Sequence, residues 1–130
     1  MKLFLTSLLL LPLTAPALAE SAPSAEAKLA IELKDRTAGE PVDCITQSNI
    51  RSAEIYDHTA ILYEMRDGTR YVNRPASGLN LLDGFAVMVT DTHTPRLCSI
   101  DVVRLVDPGL HSPRGFVQLG KFVPWRKQAG

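Results

Sequence analysis

The sequence predicts an all-β domain, a small antiparallel barrel or sandwich of about five to six strands behind a loose or partly helical N-terminal segment. Three observations predict it. Short runs rich in β-branched and aromatic residues recur between turn signals from Val42 onward. An Asp67-Gly68 dipeptide separates two such runs, which is a strong hairpin signal because glycine tolerates positive φ. Cys44 and Cys98, the only cysteines, are spaced so as to staple a modest core.

Residues 1–19 have the layout of a secretory signal. Lys2 precedes the apolar runs Leu3-Phe4-Leu5 and Leu8-Leu9-Leu10-Leu11, and Ala17-Leu18-Ala19 stands before Glu20. Pro12 and Pro16 break the apolar stretch, which falls short of the roughly 20 residues of a spanning helix. Cleavage after Ala19 is expected, leaving no stable membrane span and a periplasmic product. A retained anchor and a eukaryotic secretory route are the alternatives. The remainder is 111 residues (130 less 19), the size of one domain.

Residues 20–40 open with the spacer Ser21-Ala22-Pro23-Ser24 and continue with helix formers from Ala25 to Lys34. Leu29, Ile31 and Leu33 lie two apart and miss a helical stripe, so a flexible or weakly helical segment is expected. A single β domain then occupies 41–126, with a tail over 127–130. Strands are expected at Ile50 to Tyr56 and Ala60 to Met65, returning at Arg70 to Arg74. A two-residue type I′ turn on Asp67-Gly68 sets Tyr63 opposite Val72. Ile61 and Met65 then share the buried face with Tyr63, and Glu64 and Tyr71 take the other. Leu79 to Leu82 reads as a helical turn or apolar loop. Phe85 to Thr90 reads as a strand with Phe85, Val87 and Val89 on one face. Ile100 to Val106 is apolar on both faces and therefore central. Asp107-Pro108-Gly109 is a turn, Phe116 to Leu119 a short last strand, and Phe122-Val123-Pro124-Trp125 is expected to lay aromatics over an open end of the core.

An even cysteine pair in an oxidising compartment predicts a structural disulfide between Cys44 and Cys98. A redox or metal-binding thiol pair is the alternative. That reading prefers a C-x-x-C arrangement or nearby histidines, and the local sequence has neither.

The chain has 14 Lys+Arg and 14 Asp+Glu; removing Lys2 with the signal leaves 13 against 14, a formal charge of −1. Its arginines are scattered along the sequence. Neither feature points to nucleic acid or an anionic membrane. P-loop, G-x-G-x-x-G, H-E-x-x-H and G-x-S-x-G patterns are absent, so no catalytic residue, metal ligand or cofactor is assigned. His58, His93 and His111 stand among turn residues. Asp57-His58 and Asp91-Thr92-His93 raise an acid–base reading, although neighbours in a turn usually point into water. The aromatic and basic C-terminus supplies the candidate contact residues Phe122, Trp125 and Arg126, since exposed Trp and Arg are favoured at binding hot spots. The alternative is that Phe122 and Trp125 cap the core.

Several segments resemble a family of small exported Gram-negative bacterial proteins of unknown function. They are Cys44 followed by Ile50-Arg51-Ser52, a strand pair from Tyr63-Glu64-Met65-Arg66 to Asn73-Arg74, and Arg96-Leu97-Cys98-Ser99-Ile100-Asp101, matching an R-L-C-S-G-D-type motif. The resemblance covers Asp43 to Phe122. Ile100 replaces the motif's glycine, and the cysteines of relatives near Ser77 and Val117 are missing. If those two normally bond each other, Cys44–Cys98 is the surviving bridge. The resemblance implies export and a β domain, with no established activity. The expected function is a non-enzymatic binding or structural module of the cell envelope, with a protein or cell-wall component as partner. The alternatives are a small hydrolase using His58 or His93 with an aspartate, and a thiol redox or metal-binding protein.

Overall fold

In a computed structural model, residues 10–15 and 22–128 are described; the expected cleavage site and the last two residues lie outside that range. The order is α1 (Ala25–Glu32), β1 (Arg36–Ala38), β2 (Cys44–Thr46), β3 (Ile50–Tyr56), β4 (Ala60–Met65), β5 (Arg70–Asn73), β6 (Val87–Thr90), β7 (Arg96–Cys98), β8 (Val102–Val106), β9 (Pro113–Gln118) and β10 (Phe122–Lys127). All pairings are antiparallel. They form a five-stranded sheet β1-β10-β5-β4-β3, a three-stranded sheet β6-β8-β9 and the pair β2-β7. The class is all-β as expected, built as a sandwich rather than a closed barrel. Its ten strands exceed the expected five to six because several have only three or four residues.

The larger core lies between the five-stranded sheet and the two smaller ones. Ile61, Tyr63 and Met65 from β4 and Phe122 from β10 meet Ile45, Leu97, Val103, Leu105 and Val117 there. A second, smaller core lies on the other side of the five-stranded sheet, where Leu29 of α1 packs on Tyr56, Ala60, Leu62 and Val72. β4 is therefore covered on both faces.

This second core corrects the reading of residues 20–40 as loose. Ser24 caps α1 by accepting from the Ala27 N–H (3.1 Å). The buried stripe is Ala25, Leu29 and Leu33, spaced i, i+4, i+8. Ile31, which interrupted the pattern, points to solvent at 68% exposure. β1 follows at once and joins β10.

The β4–β5 hairpin forms with a register one residue from that expected. Tyr63 faces Tyr71, and Val72 faces Leu62. Gly68 has φ +90° while Asp67 is not among the positive-φ residues, so the two positive values of a type I′ turn are not met. The Met65 N–H donates to Thr69 O (2.9 Å) and the Gly68 N–H to Met65 O (3.0 Å), closing a three-residue loop. The Asp67 carboxylate accepts from the Thr69 N–H (2.9 Å) and fixes it. One residue of slip exchanges faces, so Tyr71 packs on the large core and Val72 beneath α1.

In the three-stranded sheet β8 is central, as expected. Its neighbour β6 begins at Val87, two residues later than expected. Met88 packs toward the core, whereas Val87 is 47% exposed and Phe85, outside the strand, 83% exposed. Ile100 likewise lies in a turn before β8, where Asp101 accepts from the Cys98 N–H (2.7 Å). β10 is a full strand between β1 and β5, with Phe122 in the large core and Trp125 against the smaller one, so the two aromatics do not lie together over one open end.

Cys44 and Cys98 are directly opposed on β2 and β7, with Cα atoms 4.0 Å apart and sulfurs bonded. The flanking pair Ile45 and Leu97 is buried in the large core. Closing this ring of 55 residues (sequence separation 54, both cysteines counted) restricts the unfolded chain by about 4 kcal/mol in the chain-entropy treatment. Asn73, fully buried, serves the same end of the core. Its amide donates to Gly120 O (2.7 Å) and its carbonyl accepts from the Gly120 N–H (2.9 Å). A Cβ on Gly120 would lie 2.2 Å from Arg74 O, so only glycine permits this approach.

Two expectations follow from the packing. Replacing both cysteines with serine lowers unfolding free energy by about 2–4 kcal/mol in urea titrations; an unchanged midpoint would show that the bridge adds no stability. Leu29→Ala costs about 3 kcal/mol, because it opens the floor beneath α1. A loss near zero in the same titration would mean that α1 is not seated.

Candidate functional site

The three residues proposed for contact separate in the structure. Phe122 is 0% exposed, with its ring 5.7 Å from Tyr63 and 6.4 Å from Tyr71 between centroids. It anchors the core and is withdrawn as a contact residue. Trp125 is half-buried beside α1, where it lines a surface groove of about 300 Å³ with Leu33, Val72, Val123, Arg74 and Lys121. Arg126 is exposed and lines a second groove, of about 410 Å³, around the 66–69 turn.

Antiparallel register builds that second groove. Strand alternation and pairing place Arg36 beside Lys127, Trp125 beside Arg70, and Arg70 beside Glu64, all on the sheet face that carries α1. The helix covers the part of this face formed by Tyr56, Ala60, Leu62 and Val72, then ends at Glu32. Beyond it the face is open and charged. Arg36, Arg70 and Lys127 project from this face and Arg126, by strand alternation, from the opposite one; together with Arg51 they line a groove at the sheet end against Glu64 and Asp67.

These cations are held in different ways. Arg70 donates to the main-chain oxygen of Glu32, pairs with its carboxylate (3.0 Å) and lies 3.7 Å from Glu64. It thus satisfies a carbonyl at the C-terminus of α1 and ties the helix to β5. Arg36 donates to Gly68 O (2.7 Å) and Trp125 O (3.2 Å), neutral acceptors that orient the guanidinium and leave its charge uncompensated. Arg51, largely exposed, is 3.8 Å from Glu64. Among the described residues no carboxylate lies within 4.0 Å of Arg126 or Lys127. Asp67 is held below the usual carboxylate range, chiefly by the Thr69 N–H, with the Arg126 charge adding to it. The groove is therefore an oriented, net-positive surface at neutral pH.

The histidines build no comparable arrangement. His58, His93 and His111 are exposed. Asp57 accepts from the Gly84 N–H (2.6 Å), and Asp91 pairs with Arg104 (3.0 Å), so each carboxylate is engaged away from its neighbouring imidazole. Among the described residues no group of three or more His, Cys, Asp or Glu is arranged to hold a metal ion, and no helix is long and apolar enough to cross a membrane. The motif residues have structural employment: Leu97 is buried, Cys98 is bridged, Asp101 closes the following turn, and Arg74 pairs with Glu26 (2.7 Å).

Fold and site together define a small disulfide-stapled β-sandwich domain with a cationic groove at one sheet end. No family model, curated protein or solved structure matches the chain.

Sequence reading placed Arg126 at this surface, with Trp125 in the neighbouring groove, and missed Arg36, Arg51 and Arg70. Their signal lay in strand pairing: positions separated by up to 91 residues of chain become neighbours once β1 meets β10. Arg70→Met retains the aliphatic stem but removes the donors to Glu32, and is expected to cost about 1–2 kcal/mol of stability by urea unfolding. No measurable loss would show that the contact does not hold α1 down.

Proposed function

We propose that this protein is an exported, non-enzymatic binding module of the bacterial envelope, and that the cationic groove is its contact surface. One observation carries the reading: a chain with balanced charge, 14 against 14, gathers five cations at one sheet end against two lining carboxylates. Like charges cost free energy when brought together, so their convergence is best explained by a partner of opposite sign. The signal-like residues 1–19 and the Cys44–Cys98 bridge support an oxidising destination. The similarity of the Cys44, Ile50-Arg51-Ser52 and Arg96–Asp101 segments to small exported proteins supports the same compartment.

The full-length chain expressed in a Gram-negative host is expected to yield a mature form beginning at Glu20 by mass spectrometry of the periplasmic fraction. The purified mature domain, immobilised, is expected to retain material from envelope extracts in a salt-sensitive manner. Arg51, Arg126 and Lys127 are exposed, so the triple variant Arg51→Gln/Arg126→Gln/Lys127→Gln should fold with an unchanged melting temperature and lose that retention. Equal retention by the variant, or none by the native domain, overturns the proposal.

A further inference from the structure

We infer that two copies of this chain pair through the free edge of β3, antiparallel and about a two-fold axis at Ala53. Of the strands at sheet edges β3 is the longest, at seven residues. Arg51, Ser52, Ala53 and Glu54 are all exposed along it. The alternation of ladder bonds fixes which of its main-chain groups are free. The Met65 N–H donates to Thr69 O on the β5 side, so Ala60, Leu62 and Glu64 turn their N–H and C=O groups toward β3. There they meet Tyr56, Glu54 and Ser52, which leaves the N–H and C=O of Ala53 and Ile55 directed outward. Among the described residues no main-chain hydrogen bond outside the ladder engages either residue. A row of unpaired peptide groups is satisfied by another extended strand.

The residues of that edge select a second copy as the added strand. A two-fold axis normal to an antiparallel pair sets one residue opposite its own copy. With Ala53 in that place, Ser52 lies opposite Glu54 of the other copy, on the face that carries α1. The register of β3 on β4 shifts between Ile50 and Ser52, and this irregularity brings Arg51 onto the same face, 3.8 Å from Glu64. Arg51 of each copy therefore stands beside Glu54 of the other, and symmetry forms this ion pair twice. Beyond the shift Ile50 falls opposite Ile55, both packed toward the large core. Glu54 on the axis would instead set like charges face to face, and its peptide groups are already bonded to β4. There is room for the strand. Glu54, Ile55 and Asp57 border a groove of about 450 Å³ whose rim carries Pro23, Lys28 and Phe85, the last 83% exposed. Asp57 adds a second carboxylate on the side where Arg51 of the other copy enters. The pairing joins two five-stranded sheets into one of ten and keeps both cationic grooves on the same face, with Arg51 at the seam.

Dimerisation of this kind does not depend on the groove's being a binding surface, and sedimentation velocity on the mature protein tests it. A dimer is expected at about 100 μM, dissociating on dilution as mass action requires. Ala53→Pro removes an outward N–H and no bond of the sheet. It should therefore melt as the diluted native monomer does and remain monomeric at every concentration. Glu54→Arg and Arg51→Glu, each alone, should weaken association about tenfold, because each sets like charges opposite one another. An equimolar mixture of these two variants should dimerise as the native chain does, since every charge then meets its opposite. A native chain that stays monomeric overturns the inference. So does a dimer that Ala53→Pro leaves intact, or a mixture of the charge variants that associates no better than either alone. Should the proline variant fail to fold, the charge mixture decides. Salt-sensitive retention of envelope material by a monomer overturns the dimer and leaves the binding module standing.

Discussion

The double burial of β4 governs the rest of the architecture. Ala60, Ile61, Leu62 and Tyr63 are consecutive and all buried, so this strand has no face to offer water. A β-strand turns successive side chains to opposite sides, and four buried in a row therefore demand a cover on each side. The smaller sheets supply one and α1 the other. The helix is only eight residues long and cannot span the sheet, so the end carrying Arg36, Arg70 and Lys127 stays open. The candidate site is the part of a two-sided sheet for which no second cover exists.

The bridge acts on the opposite layer, and the Asn73–Gly120 clasp at the end of β5 in the five-stranded sheet. Cys44 and Cys98 belong to a pair of three-residue strands, too short to be stable by pairing alone. Their covalent link holds Ile45 and Leu97 in register within the larger core. Asn73 closes the backbone of Gly120 just before Phe122 enters that core, which fixes where β10 starts. The Asn73–Gly120 clasp thereby positions the strand that brings Arg126 and Lys127 to the groove.

Strand identity was legible because β-branched and aromatic runs alternate with strong turn residues; β3, β4, β5 and β8 lie close to where the pattern puts them. Register was not, since Asp-Gly serves a two-residue turn and also a three-residue loop, and the choice rests on the φ of Asp67. The helix was obscured by Ile31, whose exposed position breaks the apparent periodicity while Ala25, Leu29 and Leu33 form the true stripe. The groove was illegible for a different reason. Charges distant in sequence carry no shared local pattern, and only the β1–β10 and β4–β5 pairings bring them together.

Because β1 pairs with β10, the first and last strands of the domain are neighbours, and the sheet is an end-to-end closure. A chain delivered N-terminus first can seat α1 on Tyr56, Ala60, Leu62 and Val72 once β5 has emerged, but must keep β1 unpaired until residues 122–127 arrive. Until then the large-core face of β4 lacks the ring of Phe122. Such long-range closure is slow relative to local hairpins. The order of emergence thus leaves β1 and β10 to pair last, and a chain stopped short of residue 122 would never complete the surface on which Arg36 is oriented.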